Sequence, residues 1–336
     1  MKALYIGDPH IMVSNLKDGD SLLQFVLDTA IQEKVDHVCF LGDLFHTHAV
    51  LRIEVVSFWH KWLDAFSVKA IQTIVLVGNH DQPGSREKEQ EMNALDVFDI
   101  SNDSEGYRTI VNEPMNIGNI AYIPYMSSHT KFVNAAMDLE EKGATKLLIC
   151  HQTFTGAVYE NGQPAEDSVD PNAIPQEKIV SGHIHKEQEF EKVFYPGTAK
   201  YDKLSDANEK KGIWLFEHNQ DGSVKSRKKI STEKVVSAIY KFVINEGEKV
   251  PAIKKNSRTY LEFIGKSSWI KDMKKKYKMK AKVKGTPTDR RIAFSSGSEN
   301  YTIEEHIGIF EPIEGIKRTD ISNYLRGLNE RRIQRQ

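Results

Sequence analysis

Short apolar runs rich in β-branched residues recur along this 336-residue chain, at residues 3–6, 37–41, 71–77, 119–123, 146–150 and 178–181, and they end in Gly, Pro or a polar residue. Runs of that length bounded by turn residues are the pattern of sheet strands buried on both faces. Between the early ones, Leu22, Leu23, Val26, Leu27, Ala30 and Ile31 fall at helical spacing, as do Val55, Val56, Phe58, Trp59, Trp62, Leu63 and Phe66. Strand, helix and strand in succession predict a layered α/β core with helices covering a sheet. Two later runs, 189–195 and 211–217, have little helix between them. They predict a partly antiparallel second sheet, and so a two-sheet sandwich flanked by helices.

At 336 residues the chain exceeds the size at which a single core stops growing. The turn His218-Asn219-Gln220-Asp221-Gly222-Ser223, followed by the strongly charged residues 225–229, marks a boundary and gives a first domain of 1–232. A small α+β module is expected over 233–297, with strands at 237–244, 258–264 and 279–283 and a helix at 267–276. A helical segment is expected over 298–336, with helices at 302–309 and 320–332 separated by Pro312 and Gly315.

Cys39 and Cys150 both sit inside apolar runs, so they read as buried small hydrophobes rather than a disulfide framework. The apolar run at the start is too short for a signal peptide and no stretch approaches a membrane span, so a cytoplasmic protein without membrane contact is expected. The net charge of -1 hides an uneven distribution: residues 266–291 carry eleven Lys or Arg against only Asp272 and Asp289. That segment points to a polyanionic partner.

A polar cluster follows most of the strand runs: Asp8-Pro9-His10, Gly42-Asp43, Gly78-Asn79-His80-Asp81, His151 and Gly182-His183-Ile184-His185. In open α/β sheets, residues just past the carboxyl ends of strands line a common crevice, so these clusters can converge on one edge. Carboxylates mixed with neutral imidazoles suit Mn²⁺, Fe²⁺ or Zn²⁺ better than Mg²⁺, and the set contains no cysteine of the kind structural zinc sites use. Two ions about 3.5 to 4 Å apart need a shared ligand, and Asp43, in the middle of the constellation, is the candidate bridge. In Gly-His-Ile-His, imidazoles at i and i+2 of an extended segment point to opposite sides, so His183 and His185 could each serve a different ion. Taken singly, such an aspartate is more often a helix cap or turn residue. Joint occurrence, in order and after strands, is what favours a metal site. His80 beside Asp81 fits oriented acid–base work.

Together these clusters resemble the motif set of the calcineurin-like metallophosphoesterase superfamily over residues 1–217. Gly42-Asp43-Leu44-Phe45-His46, Tyr195-Pro196-Gly197-Thr198 and a small domain after the core are further similar to the SbcD-like nuclease subunits of double-strand-break repair complexes, in their bacterial or phage form. The resemblance implies that Asp8, His10, Asp43 and His185 bind one ion and Asp43, Asn79, His151 and His183 the other, with manganese the usual metal. It implies that His80 sits beside the scissile phosphate, oriented by Asp81, and that His46 lies near the DNA backbone.

The activity implied is hydrolysis of DNA phosphodiesters, as a double-strand exonuclease and single-strand endonuclease. Residues 233–297 would then cap the DNA, with Trp269, Tyr277 and Phe294 interspersed among the lysines. Segment 298–336 would dock an SbcC-like coiled-coil ATPase through the stripes Ile303, Ile307, Ile309, Phe310 and Ile321, Tyr324, Leu325, Leu328. A homodimer would form through residues 52–66 and 88–98, although Trp59, Trp62 and Phe66 could equally belong to the core. Two other readings stay open: a phosphatase or phosphodiesterase of the same fold acting on a non-DNA substrate, and a metal-free binding scaffold.

Overall fold

The first apolar run forms β1 (Lys2–Ile6), buried at every residue but Lys2. The computed structural model describes residues 1–48, 50–83, 92–98, 106–143, 145–254, 257–278 and 281–288. After β1 come α1 (Leu16–Glu33), β2 (His37–Phe40), α2 (Ile53–Val68), β3 (Gln72–Leu76) and β4 (Arg108–Val111), and the four strands pair in parallel. A second sheet begins with antiparallel β5 (Met115–Ile117) and β6 (Ile120–Ile123). Beyond them, α3 (His129–Gly143) leads to β7 (Leu147–His151) and β8 (Lys178–Gly182), parallel to β6. The hairpin of β9 (Gln188–Phe190) and β10 (Val193–Tyr195) completes that sheet. The chain then returns to the first sheet, where β11 (Gly212–His218) pairs antiparallel with β1 and β12 (Val224–Ser231) with β11. Strand order is β12-β11-β1-β2-β3-β4 in one sheet and β5-β6-β7-β8-β10-β9 in the other.

The period of two along each strand explains why whole runs are apolar. Tyr5, Cys39, Leu41, Ile74 and Leu76 point between the sheets, against Tyr122, Ile149, Val180 and Phe194. Their neighbours Leu4, Ile6, Val38, Phe40 and Val75 pack on the other face with Val26, Trp59, Trp62 and Phe66 from the two helices. Those helix aromatics therefore belong to the core, and each such burial contributes roughly 1.5–3 kcal/mol. Phe132, Ala136 and Leu139 of α3 cover the outer face of the second sheet. The expected sandwich flanked by helices is the fold, and Cys39 and Cys150 are free thiols buried within it.

Three local features depart from the sequence expectation. Residues 189–195 are two strands rather than one, because Glu191 takes a left-handed turn at φ +47°. The charged stretch 225–229, whose conformation the sequence left unassigned, is the middle of the edge strand β12. An edge strand keeps one side open to solvent, so Lys225 pairs with Glu217, Arg227 with Glu189 and Lys229 with Glu187. Arg227 also lies 4.1 Å from the centroid of the Phe194 ring, covering the open end of the sandwich core. Helix α3 gave little sequence signal because its buried residues are only Phe132, Ala136 and Leu139 among polar neighbours.

A three-stranded sheet follows, in the order β13 (Ile239–Asn245), β14 (Arg258–Gly265) and β15 (Lys282–Pro287), with β13 parallel to β14. Between β14 and β15, α4 (Ser267–Tyr277) packs Ile270 and Trp269 onto Phe263, and Ile244 and Leu261 complete a small separate core. Arg258 donates to the Tyr201 carbonyl at 2.6 Å, and the Ser237 hydroxyl donates to Asp18 at 2.7 Å, fastening this sheet to the sandwich. Residues Met1–Thr286 form one compact unit and Pro287–Gln336 a second, of which only Pro287 and Thr288 are described. The helices expected at 302–309 and 320–332, residues 88–91 of the expected dimer segment, and Phe294 lie outside the described residues. Among the described residues, no helix is long and apolar enough to cross a membrane.

The fold carries a pH dependence of its own beside β1. Tyr5 Oη lies 3.1 Å from His218 Nε2, and His37 packs edge-on against the Tyr5 ring. Burial lowers both His37 and His218 from 6.5 to about 4. Between those values the unfolded chain binds protons that the folded chain refuses, so stability is present above pH 6.5 and is lost as the pH falls toward 4. The urea midpoint is expected to drop over that interval, and a His37→Gln/His218→Gln variant to show a flatter decline. A double variant with the wild-type slope would place the acid sensitivity elsewhere.

Candidate metal centre

Asp8, Asp43 and Asn79 lie just past the carboxyl ends of β1, β2 and β3, while His151 closes β7 and His183 follows β8 directly. Both sheets thus deliver side chains to the same edge of the sandwich. Backbone conformation marks the same places: Asp8, His10, Asp43 and His183 have φ of +33°, +42°, +53° and +80°. Left-handed non-glycine residues cost of order 1–3 kcal/mol each when strained, and they persist where packing over-determines them, commonly at functional sites. Two glycines make the close approach possible. A Cβ on Gly182 would stand 2.3 Å from the Leu41 carbonyl oxygen and 2.8 Å from Asp8 Oδ1, and one on Gly78 would stand 2.3 Å from Asp43 Oδ1.

The donors form two groups that share Asp43. In one, Asn79 Oδ1 is 3.0 Å from His151 Nε2 and 2.7 Å from His183 Nδ1, and Asp43 Oδ2 is 3.4 Å from His151 Nε2. In the other, His10 Nε2 is 2.9 Å from His185 Nε2 and 3.5 Å from the same Asp43 Oδ2. Asp8 accepts the His183 amide at 3.1 Å through Oδ1, and its buried Oδ2 has no hydrogen-bond partner. His80 also brings a ring nitrogen within 4.8 Å of donor atoms of His10 and Asp43.

Lone pairs converge in both groups. His151 Nδ1 donates to the Leu41 carbonyl at 2.6 Å and His10 Nδ1 faces the Phe45 carbonyl at 3.3 Å, so in the neutral ring each Nε2 points its lone pair inward. Burial pushes His10 and His183 down to about 3 and His185 well below its ordinary value, which keeps these imidazoles neutral and free to donate a lone pair. Burial and the nearby Asp43 charge raise Asp8 and Asp81. His151 goes the other way: burial lowers it, but the charge and hydrogen bond of Asp43 outweigh that and carry it up to about 9. A proton and a divalent cation therefore compete for the pocket around Asp43. An orphaned carboxylate oxygen, inward imidazoles and an amide oxygen fit divalent ions of the Mn, Fe or Zn type.

Two of the expected roles change in detail. His80 is half-buried, and its Nδ1 meets the His46 carbonyl at 2.7 Å. Asp81 does not orient that ring as expected: it is buried and accepts the amides of Gly78 at 2.9 Å and Phe45 at 3.0 Å. Its carboxylate holds the Gly42-Asp43 and Gly78-Asn79 loops together, because an aspartate at the end of a tight turn reaches backbone amides sooner than its neighbour's ring. The His46 ring centroid is 5.4 Å from that of His10 and 6.0 Å from that of His80, on the rim of the site.

Sequence reasoning passed over two neighbours. His48 stacks on His80 with centroids 4.0 Å apart and places Nδ1 2.8 Å from the Asn79 carbonyl. Tyr125, just past the end of β6, stacks on His183 at 5.8 Å. The rule that found the ligands, polar residues past a strand end, applied to β6 would have found Tyr125. The Tyr195-Pro196-Gly197-Thr198 segment braces the site from behind: Tyr195 Oη donates to the Gln152 carbonyl at 3.0 Å, and the Thr198 amide donates to the His185 carbonyl at 3.0 Å.

A two-sheet α/β sandwich with overlapping carboxylate and imidazole clusters at its strand ends, joined by one aspartate, defines a metallophosphoesterase. Residues 1–187 match the family model of the calcineurin-like phosphoesterases, and the chain belongs to that family. It is 30% identical over 208 residues to 244L of Invertebrate iridescent virus 6, a predicted phosphoesterase, covering 59% of this chain and 69% of the relative. It is 31% identical over 206 residues to 078R of Invertebrate iridescent virus 3, also a predicted phosphoesterase, covering 59% of this chain but only 57% of that protein. Among solved structures, a phosphoesterase from E. coli aligns at 15% identity with a TM-score of 0.30, over 68% of this chain and 98% of that one, a likeness too low to carry weight.

Proposed function

We propose that this phosphoesterase is a DNA phosphodiesterase of the SbcD-like kind, using two Mn²⁺ ions. The observation that carries the hydrolytic reading is Asp43 Oδ2, placed 3.5 Å from His10 Nε2 and 3.4 Å from His151 Nε2. Asp8, His10, Asp43 and His185 would hold one ion, and Asp43, Asn79, His151 and His183 the other. Such ions, when bound, polarise the phosphoryl oxygens and lower the pKa of the attacking water.

The protein's own groups do the rest. With Nδ1 donating to the His46 carbonyl, His80 keeps Nε2 for the phosphate, where the imidazolium form donates to a developing oxyanion or to the leaving oxygen. The Asp43 Oδ1 contact to the His80 amide at 2.8 Å ties the ring's backbone to the shared ligand. His46 and His48 flank His80 on the outer rim, where the backbone of a bound strand would run.

DNA is favoured by the groove between α4 and β15, lined by Lys274, Lys275, Lys278 and Lys282 with Ala281 and Val283 at its floor. Such a surface binds phosphates without reading sequence. Reversing Lys274, Lys275 and Lys278 to Glu is expected to weaken DNA binding by about tenfold or more, with a shallower salt dependence. Cleavage of a small chromogenic phosphodiester should stay unchanged; equal losses on both substrates would point to misfolding instead. A Mn²⁺ titration comparing double-stranded DNA, single-stranded DNA and a phosphomonoester tests the substrate class. Preference for the monoester would replace DNA by a phosphatase reading.

As part of the same proposal, an SbcC-like ATPase would dock on segment 298–336, which deletion after Gly315 tests by loss of association. Homodimerisation would use the start of α2, where Leu51 and Ile53 are 41% and 80% exposed. The proposed setting is the cytoplasm of a bacterium or a phage-infected host.

A further inference from the structure

We propose that Glu160 is the outer carboxylate of this metal centre, accepting the Nδ1 proton of His185 and thereby aiming Nε2 of that ring at the ion it would share with Asp8, His10 and Asp43. The inference rests on the two-metal reading above. Metal-ligating histidines generally give their second ring nitrogen to a carboxylate or carbonyl, which fixes both tautomer and ring orientation. At His151 and His10 that partner is a backbone carbonyl, of Leu41 and Phe45. At His185 the corresponding nitrogen is buried without an aligned hydrogen bond, and Glu160 Oε1 stands 3.3 Å from it. The pair is at ion-pair distance, with the acceptor already in place.

The loop that brings Glu160 there is built rather than incidental. A bridge between Val158 and Pro164 and the Tyr159 amide bond to the Gln163 carbonyl at 2.9 Å form a small hairpin. Asn161 and Gly162 make its turn, with Gly162 at φ +84°. Gln188 clamps the hairpin to β9, donating to the Val158 carbonyl and accepting its amide, both at 2.8 Å. Asn161, Gly162 and Gln163 are exposed, yet the Glu160 side chain is only 11% exposed. A hairpin tip offers a carboxylate full hydration, so one turned inward must be compensated by partners. Those partners are His185 and, at 3.7 Å from Oε2, Lys203. Glu160 is thus a positioning residue acting through His185.

The test is Mn²⁺ binding to the full chain by titration calorimetry, without substrate, for wild type, Glu160→Ala, Glu160→Gln and His185→Ala. Wild type is expected to bind two ions, and Glu160→Ala to weaken one of them by about 10–100-fold while the other keeps its affinity. Glu160→Gln should retain most of the affinity, because its amide oxygen can still accept from Nδ1. In the His185→Ala background, adding Glu160→Ala should change nothing further. Unchanged affinities in Glu160→Ala would overturn the inference and leave the two-metal reading standing. A loss in Glu160→Gln as large as in Glu160→Ala would make the charge itself the binding element and overturn the positioning role. A wild type that binds fewer than two ions would sink the two-metal reading and this inference together.

Discussion

Asp43→Ala is expected to strip both metal ions from the protein and to lower phosphodiester hydrolysis by more than about 10³-fold. Asp43 Oδ2 lies 3.5 Å from His10 Nε2 and 3.4 Å from His151 Nε2, so one oxygen serves both donor groups. Its Oδ1 also holds the His80 amide at 2.8 Å, so the substitution loosens the loop that presents His80. Removing the carboxylate further takes away the larger of the two charges that raise His151 to about 9, leaving Asp8 as the remaining carboxylate among buried imidazoles. Metal content after dialysis, measured beside nuclease rates, checks both halves. Retention of two ions, or of activity near wild type, would remove Asp43 from the centre of the site.

The second large effect is expected at His80, and its signature is the opposite one. His80→Ala should keep two ions per chain yet slow turnover by about 10²- to 10⁴-fold, the usual contribution of a positioned acid–base group. The Nδ1 contact to the His46 carbonyl at 2.7 Å already occupies one ring nitrogen, which leaves a single nitrogen for the phosphate. His80 has a ring nitrogen within 4.8 Å of donor atoms of His10 and Asp43, so the alternative role of ligand is geometrically open. The two substitutions separate the roles. A His80→Ala protein that lost an ion would make His80 a ligand, whereas one that kept both ions and full rate would leave it no role in the chemistry.

Much of the site could be read in the sequence because the signals are local. Asp8, Asp43, Asn79, His151 and His183 each stand at or just past the end of an apolar run, and the strand ends of both sheets do bring them to one edge. His185 and His10 follow from spacing within the same clusters, although the turn that lets them meet at 2.9 Å is visible only in the left-handed backbone of His10 and His183. Asp81 misled because adjacency to His80 in sequence suggested a pair, whereas the buried carboxylate meets the amides of Gly78 and Phe45. Glu160 could not have been singled out: it lies in a polar loop, and only the clamp of Gln188 on Val158 turns it inward.

The sequence by itself determined the alternation of strands and helices, the sandwich they build and the kind of donor at each strand end, since period, length and turn residues act over a few positions. It also carried the family motif set that residues 1–187 match. Tertiary structure alone decided that Asp43 Oδ2 comes within 3.5 Å of His10 Nε2 and 3.4 Å of His151 Nε2, that His80 leans on the His46 carbonyl, and that charged residues 225–229 run as the edge strand β12. Those outcomes depend on contacts between distant segments, where desolvation, close backbone approach at Gly78 and Gly182 and strained left-handed residues select one arrangement from many. No local pattern encodes that selection.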